Sequence, residues 1–295
     1  SAAVAVQNGG ARGRPIAPVK VGLFDVFGGH MATGWDLWLL EQFEFPVQRV
    51  WGERVEAGDL RRDFDVLLFH TGLPGPRDLR RAARRRAEAN IPELVTALPP
   101  FEDWSDLEAR AVRLTGERSL PALRAFVEDG GTLIALGDEV EKVVRHFDLP
   151  VEVGVHVPID DAARRETGET ERAATRDEFY VPGSLLAIEV DTEHAIARGA
   201  SRELAAMVNR SATVLEVLDE RNGAVEVVAR YRREAPLLSG WAIGTELLAD
   251  KAAVVSARVG AGRVVLFGID ATYRGQSLAT ARLVFQAILT AGDPR

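Results

Sequence analysis

Two adjacent carboxylates follow an apolar run and a glycine in the stretch GGTLIALGDEVEKVV, residues 130–144. A strand, a sharp turn and a helix in this order is where many α/β enzymes carry a nucleophile. Here the turn holds Gly137, Asp138 and Glu139, and the chain contains no cysteine. A carboxylate can act as nucleophile or base when burial tunes its pKa. At the start of a helix it can also cap unpaired N–H groups, and we favour this capping role.

Loops after other predicted strands supply further polar side chains. The loop GGHMATG follows the first predicted strand and contains His30, and the segment IDATYRG near the end of the chain contains Asp270, Tyr273 and Arg274. Ligands of doubly wound sheets bind beyond the carboxyl ends of the strands. The sequence therefore predicts a candidate pocket for a small polar ligand, formed by His30, Asp138, Glu139, Asp270, Tyr273 and Arg274.

Other catalytic and cofactor motifs do not occur. The loop after the first strand matches neither G-x-G-x-x-G nor the P-loop, and no serine stands in a G-x-S-x-G elbow. None of the five histidines begins H-x-x-E or H-E-x-x-H, and thiolate ligands are absent because the chain has no cysteine. We therefore expect no metal and no cofactor.

The elements that position these loops alternate in type along the first half of the chain. The apolar runs VKVGLFDVF, FPVQRVW, FDVLLFH and TLIAL read as strands, and the amphipathic segments GWDLWLLEQFEF and SLPALRAFVEDGG read as helices. This order predicts a doubly wound, mostly parallel sheet. Short β-rich runs joined by hairpin-like turns follow residue 178, which predicts added antiparallel strands in the C-terminal half.

We divide the chain by composition. Residues 1–17 read as a linker or a cut N-terminal end, and residues 18–293 as a single α/β domain. That domain is expected to contain a charged helical insertion at about residues 76–117 and a polar segment at about residues 160–178. The polar segment has almost no large apolar residues, so it is expected to be a mobile loop or a solvated helix.

The net charge and the hydropathy of the chain argue against two kinds of partner, nucleic acid and the membrane interior. A net charge of −8 and a pI near 5.3 argue against nucleic acid, because phosphate binding requires a basic face. The arginine-rich stretch RDLRRAARRRAEA spreads its charges around a helix and is expected to be a solvated surface. No apolar run approaches the roughly 20 residues that a membrane span requires.

Several stretches in order resemble a known family. They include GWDLWLLEQFEFPV, LRAFVEDGGTLIAL, FYVPGSLLAIEVD and GAGRVVLFGIDATYRGQS. Together they are similar to the class I glutamine amidotransferase-like domain at the C-terminal end of some bacterial zinc carboxypeptidases. The resemblance covers most of residues 19–289. It implies a flavodoxin-like fold, an exported parent protein, secreted or periplasmic, and a peptidase domain upstream; a cytoplasmic location stays open.

The chain departs from that family pattern where chemistry is concerned. Class I amidotransferases use a cysteine on the strand-to-helix turn and a histidine after a later strand, and this chain has neither there. We expect a non-catalytic accessory domain that acts beside a peptidase domain or another protein partner. One alternative is a small-molecule or carbohydrate-binding domain that uses the strand-end pocket. Another is a hydrolase that uses Asp138 or Glu139.

Overall fold

The computed structural model describes residues 18–76, 110–160, 164–165, 168–209 and 213–292. Apart from the edge strand, the short strands in the first half of its central sheet are buried on both faces, as continuous apolar runs require. The strands of the first half are β1 (Val21–Phe24), β2 (Val47–Val50), β3 (Val66–Phe69) and β4 (Thr132–Leu136). The helices between and after them are α1 (Met31–Gln42), α2 (Gly52–Glu56), α3 (Ser119–Glu128) and α4 (Glu139–Phe147).

The second half adds mainly strands. They are β5 (Val151–Val153), β6 (His156–Pro158), β7 (Glu171–Ala173), β8 (Gly183–Val190), β9 (Glu203–Asn209), β10 (Leu215–Val217), β11 (Val225–Tyr231), β12 (Leu237–Ser239), β13 (Ala252–Val259) and β14 (Gly262–Phe267). Helix α5 (Leu278–Leu289) follows β14.

The sheet order identifies the fold. Strands β2, β1, β3, β4 and β14 lie side by side in that order and are parallel. This is the flavodoxin-like order, in which the strand sequence reverses direction between β1 and β3. The predicted doubly wound, flavodoxin-like sheet is confirmed.

The added strands are antiparallel, also as predicted. Strand β13 pairs antiparallel with β14 and β11, and β11 pairs antiparallel with β8. Strands β9 and β12 both pair with β8, and the short β10 joins β13 to β5. The antiparallel half thus extends the parallel sheet beyond β14.

Helices cover both faces of the sheet, and each face has its own apolar cluster. Side chains of α1 and α5 pack on one face, for example Leu40 and Leu283. Side chains of α2, α3 and α4 pack on the other, for example Val55, Phe126 and Val143. The sheet is therefore the middle layer of three, which holds the loops at the strand ends in fixed positions.

The two predicted peripheral segments are only partly described. Residues 77–109 of the predicted helical insertion lie outside the described residues, as do residues 1–17. Within the polar segment, residues 171–173 form β7, which pairs antiparallel with β6. Its prediction as a loop or helix is wrong at this point, because backbone pairing stabilises a strand even without buried side chains. Among the helices described, none has the length and hydropathy of a membrane span.

Candidate functional site

A polar cavity of ≈ 280 Å³ lies at the carboxyl ends of the parallel strands. It is bounded by the loops after β1, β3, β4 and β14 and by the end of β9. Its lining residues are His30, Ala32, His70, Thr71, Gly137, Asp138, Glu139, Lys142, Val208, Asn209, Thr213, Gly268, Ile269 and Asp270. The cavity includes the β1/β3 point where the strand order reverses, which is where ligands of this fold class bind.

One lining residue, His70, belongs to a buried hydrogen-bond chain. Asp36 lies on α1 and its side chain is 1% exposed. Its Oδ2 lies 2.8 Å from Nδ1 of His70, the residue that follows β3, and its Oδ1 accepts a hydrogen bond of 2.6 Å from the hydroxyl of Thr272. Each carboxylate oxygen of Asp36 therefore has a partner, which a buried charge requires.

This arrangement fixes the tautomer of His70. A carboxylate can only accept hydrogen bonds, so the proton of the neutral imidazole is on Nδ1. The other nitrogen, Nε2, then carries a lone pair. It has no hydrogen-bond partner among the described residues, and the His70 side chain, which is 9% exposed, lines the cavity. His70 is thus an oriented imidazole whose second nitrogen is available to a ligand.

The charges around His70 favour its protonated form. Burial alone would lower the pKa of His70, but the charge and hydrogen bond of Asp36 outweigh burial, with smaller contributions from Asp270 and Glu139. The pKa of His70 is therefore raised above its ordinary value. The protonated form of His70 therefore persists to higher pH than that of an ordinary histidine.

His30 lies beside His70, with its ring centre 6.1 Å away. It precedes α1, and its Nδ1 lies 3.4 Å from the hydroxyl of Thr33. Burial and the neighbouring His70 lower its pKa, against the opposing charges of Asp25, Asp36 and Asp138. The two histidines of the cavity therefore favour different protonation states, one toward imidazolium and one toward neutral imidazole.

Glu139 connects α4 to the loop after β3 through buried contacts. Its side chain is 2% exposed; Oε2 accepts a 2.8 Å hydrogen bond from the N–H of Leu73, and Oε1 lies 2.6 Å from Nζ of Lys142. Burial raises the pKa of Glu139, opposed by Lys142 and by the Leu73 N–H. The predicted capping role is wrong for Glu139, because its carboxylate reaches across to the loop after β3. The same contacts engage both oxygens and hold the carboxylate in a fixed orientation.

Asp138 occupies the N-cap position of α4 but makes no side-chain capping hydrogen bond, so the capping prediction is wrong here as well. It is exposed and lines the cavity. Asp270 also lines the cavity, and its Oδ2 accepts a 2.8 Å hydrogen bond from the N–H of Asn209. Tyr273 and Arg274 are not lining residues; the Arg274 guanidinium lies 5.2 Å from the centre of the Tyr273 ring.

The structure therefore brings His30, Asp138, Glu139 and Asp270 to one cavity and leaves Tyr273 and Arg274 outside its lining. Sequence reasoning missed Asp36, His70 and Thr272. Two signals pointed to the first two: Asp36 is an acidic residue in the otherwise apolar run GWDLWLL, and His70 ends the apolar run FDVLLFH. A charge on the apolar face of a helix indicates a buried partner.

A scan against protein-family models and a search of curated proteins each give no match. Solved structures resemble the fold at low identity. A ThuA-like protein from Bacteroides uniformis is 9% identical with a TM-score of 0.49, over 95% of this chain and 94% of that one. A GMP synthase subunit from Thermoplasma acidophilum is 10% identical with a TM-score of 0.48, over 92% and 94% of the two chains.

A β-galactosidase from Bacillus circulans is likewise 10% identical with a TM-score of 0.47. The match covers 93% of this chain but 31% of the enzyme. Likenesses this distant carry no information about ligand or activity.

Proposed function

We propose that this chain is a binding domain for a small polar molecule, which it holds in the strand-end cavity. The observation that carries this proposal is the convergence of polar side chains from separate loops on one cavity of ≈ 280 Å³. Small-molecule sites are concave and present a few fixed polar groups. The oriented imidazole of His70 is such a group, since Asp36 fixes its ring.

The lining suits a ligand with several hydrogen-bonding groups. Neutral imidazole nitrogens and carboxylates accept hydrogen bonds, whereas the Lys142 ammonium donates them. A hydroxyl both donates and accepts, so it can pair with either kind of group. A monosaccharide or a small hydroxy acid is the ligand class that these groups fit.

The proposal is tested by blocking the cavity from α1. Ala32 lines the cavity, whereas its neighbour Met31 is exposed. A panel of monosaccharides, amino acids and short hydroxy acids is screened against the purified chain by saturation-transfer NMR. We expect at least one member to bind the parent and the Met31→Phe control, and to lose binding in Ala32→Phe.

If no member of the panel binds, or if Ala32→Phe binds as the parent does, the proposed function is wrong. The exposed control separates a blocked cavity from a general effect of an added aromatic ring on α1. Far-UV circular dichroism of both variants confirms that the fold is retained.

A second candidate is a role as accessory domain of an exported zinc carboxypeptidase-like protein. Its support is the ordered set of sequence stretches that resemble that family, and it is compatible with ligand binding. The test is the gene: we expect the reading frame upstream of Ser1 to encode H-x-x-E and a later histidine, the zinc ligands of such a peptidase. A gene that begins near Ser1 would contradict this placement.

A further inference from the structure

The Asp36–His70 pair has a geometry that ligand binding alone does not require. Asp36 is buried and holds Nδ1 of His70 at 2.8 Å, while Thr272 holds the second oxygen of Asp36 at 2.6 Å. A carboxylate that orients an imidazole and stabilises its protonated form is the arrangement by which histidine becomes an efficient general base. Its other nitrogen, Nε2, has no hydrogen-bond partner among the described residues, and the His70 side chain lines the cavity.

A second feature of the same cavity stands beside Nε2. At the turn between β4 and α4, Gly137 has φ of +57°, and a Cβ built there would lie 3.2 Å from both Nε2 and Cδ2 of His70. The edge of the imidazole that carries Nε2 therefore packs against Gly137, the residue before the N-cap of α4. The first N–H groups of a helix have no acceptor within the helix, and with the helix dipole they favour negative charge.

Together these two features provide what the hydrolysis of an acyl compound requires. Neutral His70 can take a proton from a water molecule. The N–H of Val140 donates to the carbonyl of Gly137, so the N–H groups that can stabilise the oxyanion are those of Asp138 and Glu139 at the start of α4. We infer that the cavity hydrolyses small esters or amides, with His70 as general acid–base catalyst, Asp36 as its positioning residue and water as the nucleophile. This inference rests on the proposed function, because the substrate is a molecule bound in the same cavity.

The reaction conserves atoms and protons over two steps. Nε2 accepts a proton from water while the water oxygen forms a bond to the acyl carbon, and the carbonyl electron pair moves to oxygen. When the tetrahedral intermediate collapses, the bond to the leaving group breaks. The leaving oxygen or nitrogen takes the proton back from Nε2, which releases a carboxylic acid and an alcohol or amine.

The probe is p-nitrophenyl acetate, followed by the release of p-nitrophenolate. The informative variant is His70→Asn, because the asparagine amide can still donate to Asp36 and does not leave that charge unpaired. The control is His156→Asn, on a histidine that does not line the cavity. We expect saturable hydrolysis by the parent, a fall of about a hundredfold in His70→Asn, and no change beyond about twofold in the control.

The pH profile separates a positioning role of Asp36 from a structural one. The groups that act on the charge of His70 are Asp36 from α1, Glu139 from α4 and Asp270 after β14, with His30 as its neighbour. General-base catalysis predicts a rate that rises with pH through the pKa of His70. In Asp36→Asn the midpoint shifts to lower pH and the plateau falls, whereas a merely structural role would leave the midpoint unchanged.

If the parent binds a panel ligand but does not hydrolyse p-nitrophenyl acetate above the rate of buffer, this inference is wrong and the proposed function stands. The inference is equally wrong if folded His70→Asn hydrolyses the ester as fast as the parent does. Should the variant not fold, the midpoint in Asp36→Asn decides, and an unchanged midpoint overturns the inference.

Discussion

Asp36 is a buried charge whose described partners are His70 and Thr272. Because the pKa of His70 is raised in the folded chain, its contribution to stability is complete below its ordinary pKa and is lost as pH rises through the folded value. Asp36→Asn should therefore cost about 3 kcal/mol at pH 5.5, where the ion pair is formed. At pH 9 the loss should be about 1 kcal/mol, the value of a hydrogen bond. Urea unfolding at both pH values measures this difference.

Thr272→Val is the matched control for Asp36→Asn. It removes a hydrogen bond to Asp36 and leaves the ion pair in place, so it should cost about 1.5 kcal/mol at both pH values. Equal losses for Asp36→Asn at pH 5.5 and pH 9 would show that the charge of His70 does not depend on Asp36.

Gly137 occupies the turn where a nucleophile stands in many α/β enzymes. With φ of +57°, a side chain there is strained by about 1 kcal/mol whatever the space around it. Gly137→Ala should lower the free energy of unfolding by this amount. It should also displace the His70 ring, which would shift the His70 resonances in NMR spectra. Gly223→Ala is the control, since Gly223 has φ of +69° with no atom within 4 Å of a built Cβ. Unchanged His70 resonances in Gly137→Ala would show that the His70 ring does not lie beside Gly137.

At the scale of elements, Glu139 ties α4 to the loop after β3 through the N–H of Leu73. Glu139→Ala should cost about 2 kcal/mol, because that buried N–H is left without an acceptor. Glu139→Gln keeps an acceptor, so it should cost less than Glu139→Ala at every pH. Urea unfolding of both variants measures the difference, and equal losses would show that the Leu73 hydrogen bond has no part in stability.

The pH dependence of Glu139→Gln has a definite sign. The folded pKa of Glu139 is raised by burial, so the ionised carboxylate lowers the parent's stability as pH rises from its ordinary pKa through the folded value. Relative to the parent, Glu139→Gln should therefore gain stability across that window. A relative loss with rising pH would mean that Lys142 outweighs burial.

The sequence predicted elements better than it predicted the site. Continuous apolar runs identify buried parallel strands, so β1, β3 and β4 and their order with the helices followed from local pattern. The cavity depends on contacts between residues far apart in the chain. Thr272 and Asp36 are 236 residues apart, and no local pattern relates them. The position of Glu139 at the start of a helix predicts a local cap, because no local pattern relates it to its distant partner Leu73.

At the scale of the whole molecule, adjacent residues of β13 belong to different apolar clusters, so this strand connects the two. Val254 packs on the face of α1 and α5, and Val255 packs on the face of α2, α3 and α4. The described domain should therefore unfold in one transition. Val254→Ala and Val255→Ala should each cost about 2 kcal/mol. In each variant, the unfolding transitions followed by circular dichroism and by tryptophan fluorescence should shift together. Transitions that separate in either variant would show two folding units.

The residues that line the cavity come from two parts of the fold. Residues after β1, β3, β4 and β14 come from the parallel sheet, whereas Val208, Asn209 and Thr213 come from the end of β9 and the approach to β10 in the antiparallel half. Changes in the antiparallel wall leave Asp36, His70 and the start of α4 untouched. Selection can thus alter which molecule the cavity accepts while the groups contributed by the parallel sheet stay constant.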